Sequence, residues 1–191
     1  MKTIHLKIVL GSFLAIFLVL GCKDGNQKTP AVTDSGSSAE SEKVGQAFIA
    51  DDESTPNVLQ IALGSPDHTT LVAAVQAADL ENALVNAGPL MVFAPTNAAF
   101  DALPDGTVEN LLKPENKDAL ANILKHHVTP GNYSKEFLKK FKKLGQANDQ
   151  NTTVEVKDGE VYIGGAKIVA SVPAGNGIVH VVDAVILPPE N

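Results

Sequence analysis

Met91 to Phe100 reads MVFAPTNAAF. Four apolar residues, Met91 to Ala94, run into Pro95, which removes a backbone donor and excludes the α region for Ala94, so they read as a short strand. Thr96 is placed to cap a helix, and that helix carries Phe100 and Leu103 back onto the core. A second stretch, Asn176 to Pro188 (NGIVHVVDAVILP), opens on a tight-turn dipeptide. It continues as a strand with Ile178, His180 and Val182 on one face and Val179 and Val181 on the other. Between the two lies Leu124 to Gly131, LKHHVTPG. Here Leu120, Ile123, Leu124 and His127 fall at i, i+3, i+4 and i+7 of a helix that ends near Pro130-Gly131.

Outward from these stretches, the first half of the chain reads as helical. Val58, Ile61 and Ala62 make a short apolar stripe, Gly64-Ser65-Pro66 breaks it, and Leu71, Val72, Val75 and Ala78 make a second. Leu80, Leu84 and Val85 suggest a third, and Thr107 offers a further cap after Asp105-Gly106. The second half reads as strands, Thr152–Val156, Glu160–Ile163, Ala166–Val172 and Ile178–Leu187, separated by Asp158-Gly159, Gly164-Gly165 and the turn before Ile178. Helices followed by hairpins, without regular alternation, point to an α+β fold of one domain.

The three motifs, in this order and with the run NVLQIALGSPDHTTLVAAVQAADLENAL that begins at Asn57, resemble a fasciclin domain, a family of extracellular adhesion and envelope modules. The resemblance runs from about Asn57 to Pro188. It implies a compact β-wedge packed against a cluster of short helices, with Pro95, Thr96, Asn97, Phe100, His127, Pro130, Gly131, Asn176, Gly177, His180 and Asp183 as the structural residues of the motifs. One position departs from the family pattern: its tyrosine before the conserved histidine is His126 here. The animal members' integrin contacts do not transfer, because the chain has no Arg and therefore no Arg-Gly-Asp.

At the N-terminus Lys2 and Lys7 precede an apolar run from Ile8 to Leu20. The run is shorter than the ~20 residues that span a bilayer, so residues 1–21 read as a secretory signal. Val19-Leu20-Gly21-Cys22 resembles a bacterial lipobox, which makes Cys22, the single Cys of the chain, the expected lipid attachment site. Residues 22–54, rich in Ser, Gly, Asp, Glu and Thr, read as a disordered tether, and 55–189 as the folded domain. With one Cys no intrachain disulfide is available, so the core alone must hold the fold. Two sequons, at Asn132 and Asn151, are weaker signals than the lipobox.

Net charge is −7 and every basic residue is a lysine. Without the bidentate guanidinium fork, nucleic acid is not an expected partner. No G-x-S-x-G elbow or phosphate loop is present, no cofactor is implied, and the chain is read as a non-enzyme. Among the histidines only His127 and His180 fall on apolar sides within the motifs. A site of His127, His180 and Asp183 would be the metal or hydrolase alternative; the simpler expectation is that each imidazole fixes a core hydrogen bond, with no metal bound.

The remaining feature is Tyr133 to Leu144, YSKEFLKKFKKL. Read as a helix, it places Phe137, Leu138, Phe141 and Leu144 on one face and Lys135, Lys139, Lys140, Lys142 and Lys143 on the rest, a candidate binding surface. The expectation is a lipid-anchored bacterial envelope protein, on the outer membrane or cell surface. Its domain binds matrix, cell-surface or envelope components, with anionic glycan or a surface protein as partner. The alternative is a small-ligand or metal-binding accessory protein using His127 and His180.

Overall fold

The computed structural model describes residues 55–86 and 88–189. The expected signal segment 1–21, the lipid attachment residue Cys22 and the tether 22–54 lie outside the described residues. The described chain runs α1 (Val58–Leu63), a 3-10 turn (Pro66–His68), α2 (Thr69–Ala77), α3 (Glu81–Asn86), β1 (Leu90–Pro95), α4 (Asn97–Asp101) and α5 (Thr107–Leu111). A second 3-10 turn (Pro114–Asn116) leads to α6 (Lys117–His126), β2 (Val128–Pro130) and α7 (Lys135–Leu138). Then come β3 (Lys143–Gly145), β4 (Asn151–Lys157), β5 (Glu160–Ile163), β6 (Ala166–Ala174) and β7 (Gly177–Val182). The fold is α+β.

A seven-stranded sheet has the order β2-β1-β7-β6-β5-β4-β3. Its one parallel pairing joins β1 to β7, with Leu90 opposite Gly177 and Pro95 opposite Val182. The two end strands approach each other: the Ala147 N–H donates to the Val128 carbonyl at 2.7 Å, and the Thr129 hydroxyl meets the Gln146 side chain at 2.8 Å. The sheet thus curls into a nearly closed barrel, which leaves little free edge.

The period-two alternation of β1 divides the core. Met91 and Phe93 point into the barrel with Leu138, Val161, Ile163, Ile168, Val182 and Ile186. Leu90, Val92 and Ala94 point the other way, into a second cluster with Val58, Leu59, Leu71, Val75, Leu120, Leu124 and Val179 under the helices. A strand covered on both faces must be apolar throughout, and this is why LMVFAP carries no polar residue. The Thr96 hydroxyl accepts the Ala99 N–H at 3.3 Å and starts α4 as the sequence predicts.

Three expectations are corrected. The helix over Tyr133–Leu144 is a single turn, α7, because Leu144 is taken into β3 opposite Thr152 and Phe141 folds back onto Tyr133. The cap of α5 is Gly106, in the left-handed region at φ 79°, and Thr107 is the first helical residue. The last strand stops at Val182: the Asp183 carboxylate accepts the Lys167 N–H at 2.8 Å beside a bulge at Ile168–Ala170, and the chain leaves the sheet. Two further strands of three residues each, β2 and β3, are too short to leave a period-two pattern in the sequence.

Candidate functional site

The motif residues lock elements together. Asn176, in the turn before β7, accepts the Val58 N–H of α1 on its Oδ1 at 2.9 Å and donates from Nδ2 to the Leu84 carbonyl of α3 at 2.8 Å. Asn97 does the same for α2, accepting the Thr70 N–H at 3.0 Å and donating to the Pro66 carbonyl at 3.0 Å. At Gly177 an added Cβ would lie 1.8 Å from the Leu90 carbonyl oxygen, so the parallel pairing requires glycine there. At Gly131 a Cβ would meet the Tyr133 ring at 2.8 Å.

Each motif histidine is committed at both nitrogens. His127 donates from Nδ1 to the Ile123 carbonyl at 2.9 Å, and its Nε2 accepts the Ile186 N–H at 2.9 Å. Because a carbonyl can only accept and an amide can only donate, the tautomer is fixed with the proton on Nδ1. Burial pushes its pKa down to about 4. His180 has the opposite tautomer: Nε2 donates to the Tyr133 carbonyl at 2.9 Å, so Nδ1 accepts the Ser171 hydroxyl at 2.7 Å. Its ring stacks on Phe93, and burial lowers its pKa.

The His126 side chain is also buried, a point the sequence did not give. Its Nδ1 meets the Asn148 Oδ1 at 3.1 Å and its Nε2 the Thr152 hydroxyl at 2.8 Å. His126 and His127 therefore serve different elements, one toward β4 and the other toward the segment after β7. His68 is buried with Nδ1 on the Ser65 hydroxyl at 2.8 Å, and its Nε2 faces the Ala94 carbonyl without a hydrogen bond of normal geometry. Among the described residues no three His, Cys, Asp or Glu side chains are grouped to hold a metal ion. Asp183 spends its Oδ1 on Lys167 and is not joined to His127 and His180. The imidazoles hold the fold, and the hydrolase or metal alternative has no free ring nitrogen on His127 or His180 to work with.

The lysine segment divides. Lys135 turns inward, donating to Glu160 at 2.6 Å and to the Ile168 carbonyl at 3.0 Å, and it holds the Glu160 carboxyl below the usual carboxylate range. It ties α7 to the barrel and does not belong to the candidate surface. Lys139 pairs with Glu136 on the same turn at 2.8 Å. The Lys140 ammonium lies 4.9 Å from the centre of the Phe137 ring, and Lys142 and Lys143 are exposed. Beneath them Tyr133, Phe137 and Phe141 form a cluster of three rings with centroids 5.3 to 5.6 Å apart. Phe137 leaves 42% of its surface exposed, which no charge count could reveal. No helix among the described residues is long and apolar enough to cross a membrane.

Comparison with known proteins agrees with this architecture. The fasciclin domain profile matches residues 66–188, more than half of the chain. Protein sll1483 of Synechocystis sp. is 49% identical over 138 residues, 72% of this chain and 76% of the relative. Cell surface glycolipoprotein MPB83 of Mycobacterium bovis is 34% identical, with 55% of this chain and 46% of that one aligned. In the solved FAS1 domain pair from the insect cell adhesion molecule fasciclin I, a TM-score of 0.62 at 19% identity spans 70% of this chain and 51% of that one, a likeness of fold. The chain belongs to the fasciclin domain family.

Proposed function

We propose that this protein is a lipid-anchored envelope module that acts by binding, its fasciclin domain carried on a tether of residues 22–54 from Cys22. The surface of α7 and the turn into β3 engages anionic glycan or an acidic surface protein. The observation that carries this reading is the cluster of Tyr133, Phe137 and Phe141 with Lys140 over the exposed Phe137 ring, and with Lys142 and Lys143 exposed where the chain enters β3. Aromatic faces supply contact area at little entropic cost, and lysines supply an attraction that needs no fixed geometry. In a chain of net charge −7 this positive patch is the natural point of contact with a polyanion. Its setting is supported by relatives whose names record a cell surface glycolipoprotein and a cell adhesion molecule.

Retention of the exported protein on dextran sulfate and on neutral dextran tests the reading. Salt-sensitive retention on the sulfated matrix alone is expected. Equal behaviour on both matrices would remove the basis for an anionic partner.

A further inference from the structure

Between the helices and the outer face of the sheet lies a cavity of about 220 Å³. Leu90, Val92 and Val179, which face the helices, form its floor, and Leu59, Val75 and Leu124 stand in its walls. These six are buried, whereas Ala83, Lys125 and Ala147, which also line it, are exposed, so the cavity runs from the surface down to the sheet. Two lining residues carry polar side chains, His127 and Lys125. His127 has spent both nitrogens on Ile123 and Ile186 and offers only its ring carbons. Lys125 stands on the last turn of α6 and makes no ion pair among the described residues.

A polar molecule placed inside would lose its water hydrogen bonds and find no replacement. An aliphatic one loses nothing and restores the dispersion contacts that a void forfeits. The size is informative, since a cavity of ~150 Å³ lined by similar residues takes a benzene ring and this one is about half as large again. The lysine stem can lie along the cavity lip with its ammonium in water, where it meets a negative head group.

We propose that this cavity binds a carboxylate-headed acyl chain of about eight carbons, with the tail on Val92 and Val179 and the carboxylate at Lys125. The occupant is a small amphiphile, distinct from the polyanion assigned to α7, and the two sites lie on different elements.

The test is calorimetric titration of the exported protein carrying Cys22→Ser, stripped of lipid, with hexanoate, octanoate and decanoate. One site is expected, its affinity rising about fourfold per added methylene and levelling near eight carbons. Octanoate should bind more tightly than octylamine or methyl octanoate. Its advantage over the ester should shrink roughly threefold in Lys125→Gln, the scale of an exposed ion pair. Val72→Phe and Ala62→Leu, which place bulk on the cavity wall, should weaken octanoate more than tenfold. Absence of saturable heat, affinity that keeps climbing with chain length, or octylamine binding as well as octanoate would overturn the proposal. So would octanoate binding seen only after Phe48→Ser, because the cavity would then belong to the chain's own preceding segment. If both wall variants fail to fold, the chain-length series decides by itself.

Discussion

The Nε2 of His127 accepts the backbone N–H of Ile186, fifty-nine residues further along the chain, at 2.9 Å. This bond holds the segment after β7 against the end of α6, and it exists only while the imidazole is neutral. With a folded pKa of about 4 against 6.5 for the free side chain, the unfolded chain takes up a proton first as pH falls. The contribution is complete above pH 6.5 and declines through the interval down to pH 4. By pH 4 the loss is about 3 kcal/mol. Denaturant unfolding of wild type and His127→Ala at pH 7.5 and pH 4.5 should give stabilities that converge toward the acid side. A His127 ring titrating near 6.5 by NMR would contradict the buried, neutral assignment.

Gly177→Ala places a methyl group 1.8 Å from the Leu90 carbonyl, where neither backbone can move without parting β1 from β7. The expected cost is on the order of 4 kcal/mol, at the severe end for a single substitution. Among the described residues nothing beyond its chain neighbours lies within 4 Å of a Cβ added at Gly88, and Gly88→Ala should leave stability within about 1 kcal/mol. Similar melting temperatures for the two variants would mean that the parallel pairing tolerates displacement at this end.

Asn176→Ala leaves the Val58 N–H and the Leu84 carbonyl without their partner, a loss of roughly 2–3 kcal/mol. Asn176→Asp keeps an acceptor for Val58 and loses the donor to Leu84, so it should fall between Ala and wild type. Hydrogen exchange at the Val58 amide separates the two: fast in Asn176→Ala, protected in Asn176→Asp. Equal exchange in both variants would show that the turn does not cap α1.

These residues mark how far the sequence was legible. β1 was readable because a strand covered on both faces needs an unbroken apolar run, β7 because the Asn176-Gly177 turn opens it, and the hairpins β4 to β6 because Asp-Gly and Gly-Gly turns bound them. Thr96 was readable because a cap is a local hydrogen bond. The lysine segment was not: Phe137, Leu138, Phe141 and Leu144 have helical spacing, and pairing of Leu144 with Thr152 overrides it. His126 is buried because Asn148 and Thr152 come to it from twenty-two and twenty-six residues away, a relationship no local pattern records. The inward turn of Lys135 depends in the same way on Glu160.

Cys22→Ser should move the protein from the membrane fraction to the soluble one. Each buried methylene of an acyl chain contributes ~0.8 kcal/mol to membrane attachment, and the variant loses them all. Unchanged fractionation would remove the lipid anchor from the proposed function and leave the binding surface of the domain untouched.

The surface lysines and the inward lysine should separate in one experiment. Changing Lys139, Lys140, Lys142 and Lys143 to Gln removes exposed charge, the Glu136 pair and the contact over Phe137, none of which holds the barrel. Exposed pairs of this kind contribute no more than about 1 kcal/mol, so the melting temperature should stay near that of wild type. Retention on dextran sulfate should fall sharply at low salt. In wild type it should fade as the screening length shortens from ~10 Å at 0.1 M salt toward ~3 Å at 1 M. Lys135→Gln is the opposite case: it leaves the outer charges in place and breaks the bonds to Glu160 and Ile168, so it should lower stability and spare retention. If the fourfold variant is retained as well as wild type, Lys139, Lys140, Lys142 and Lys143 are a solvated face, and binding belongs to another part of the domain.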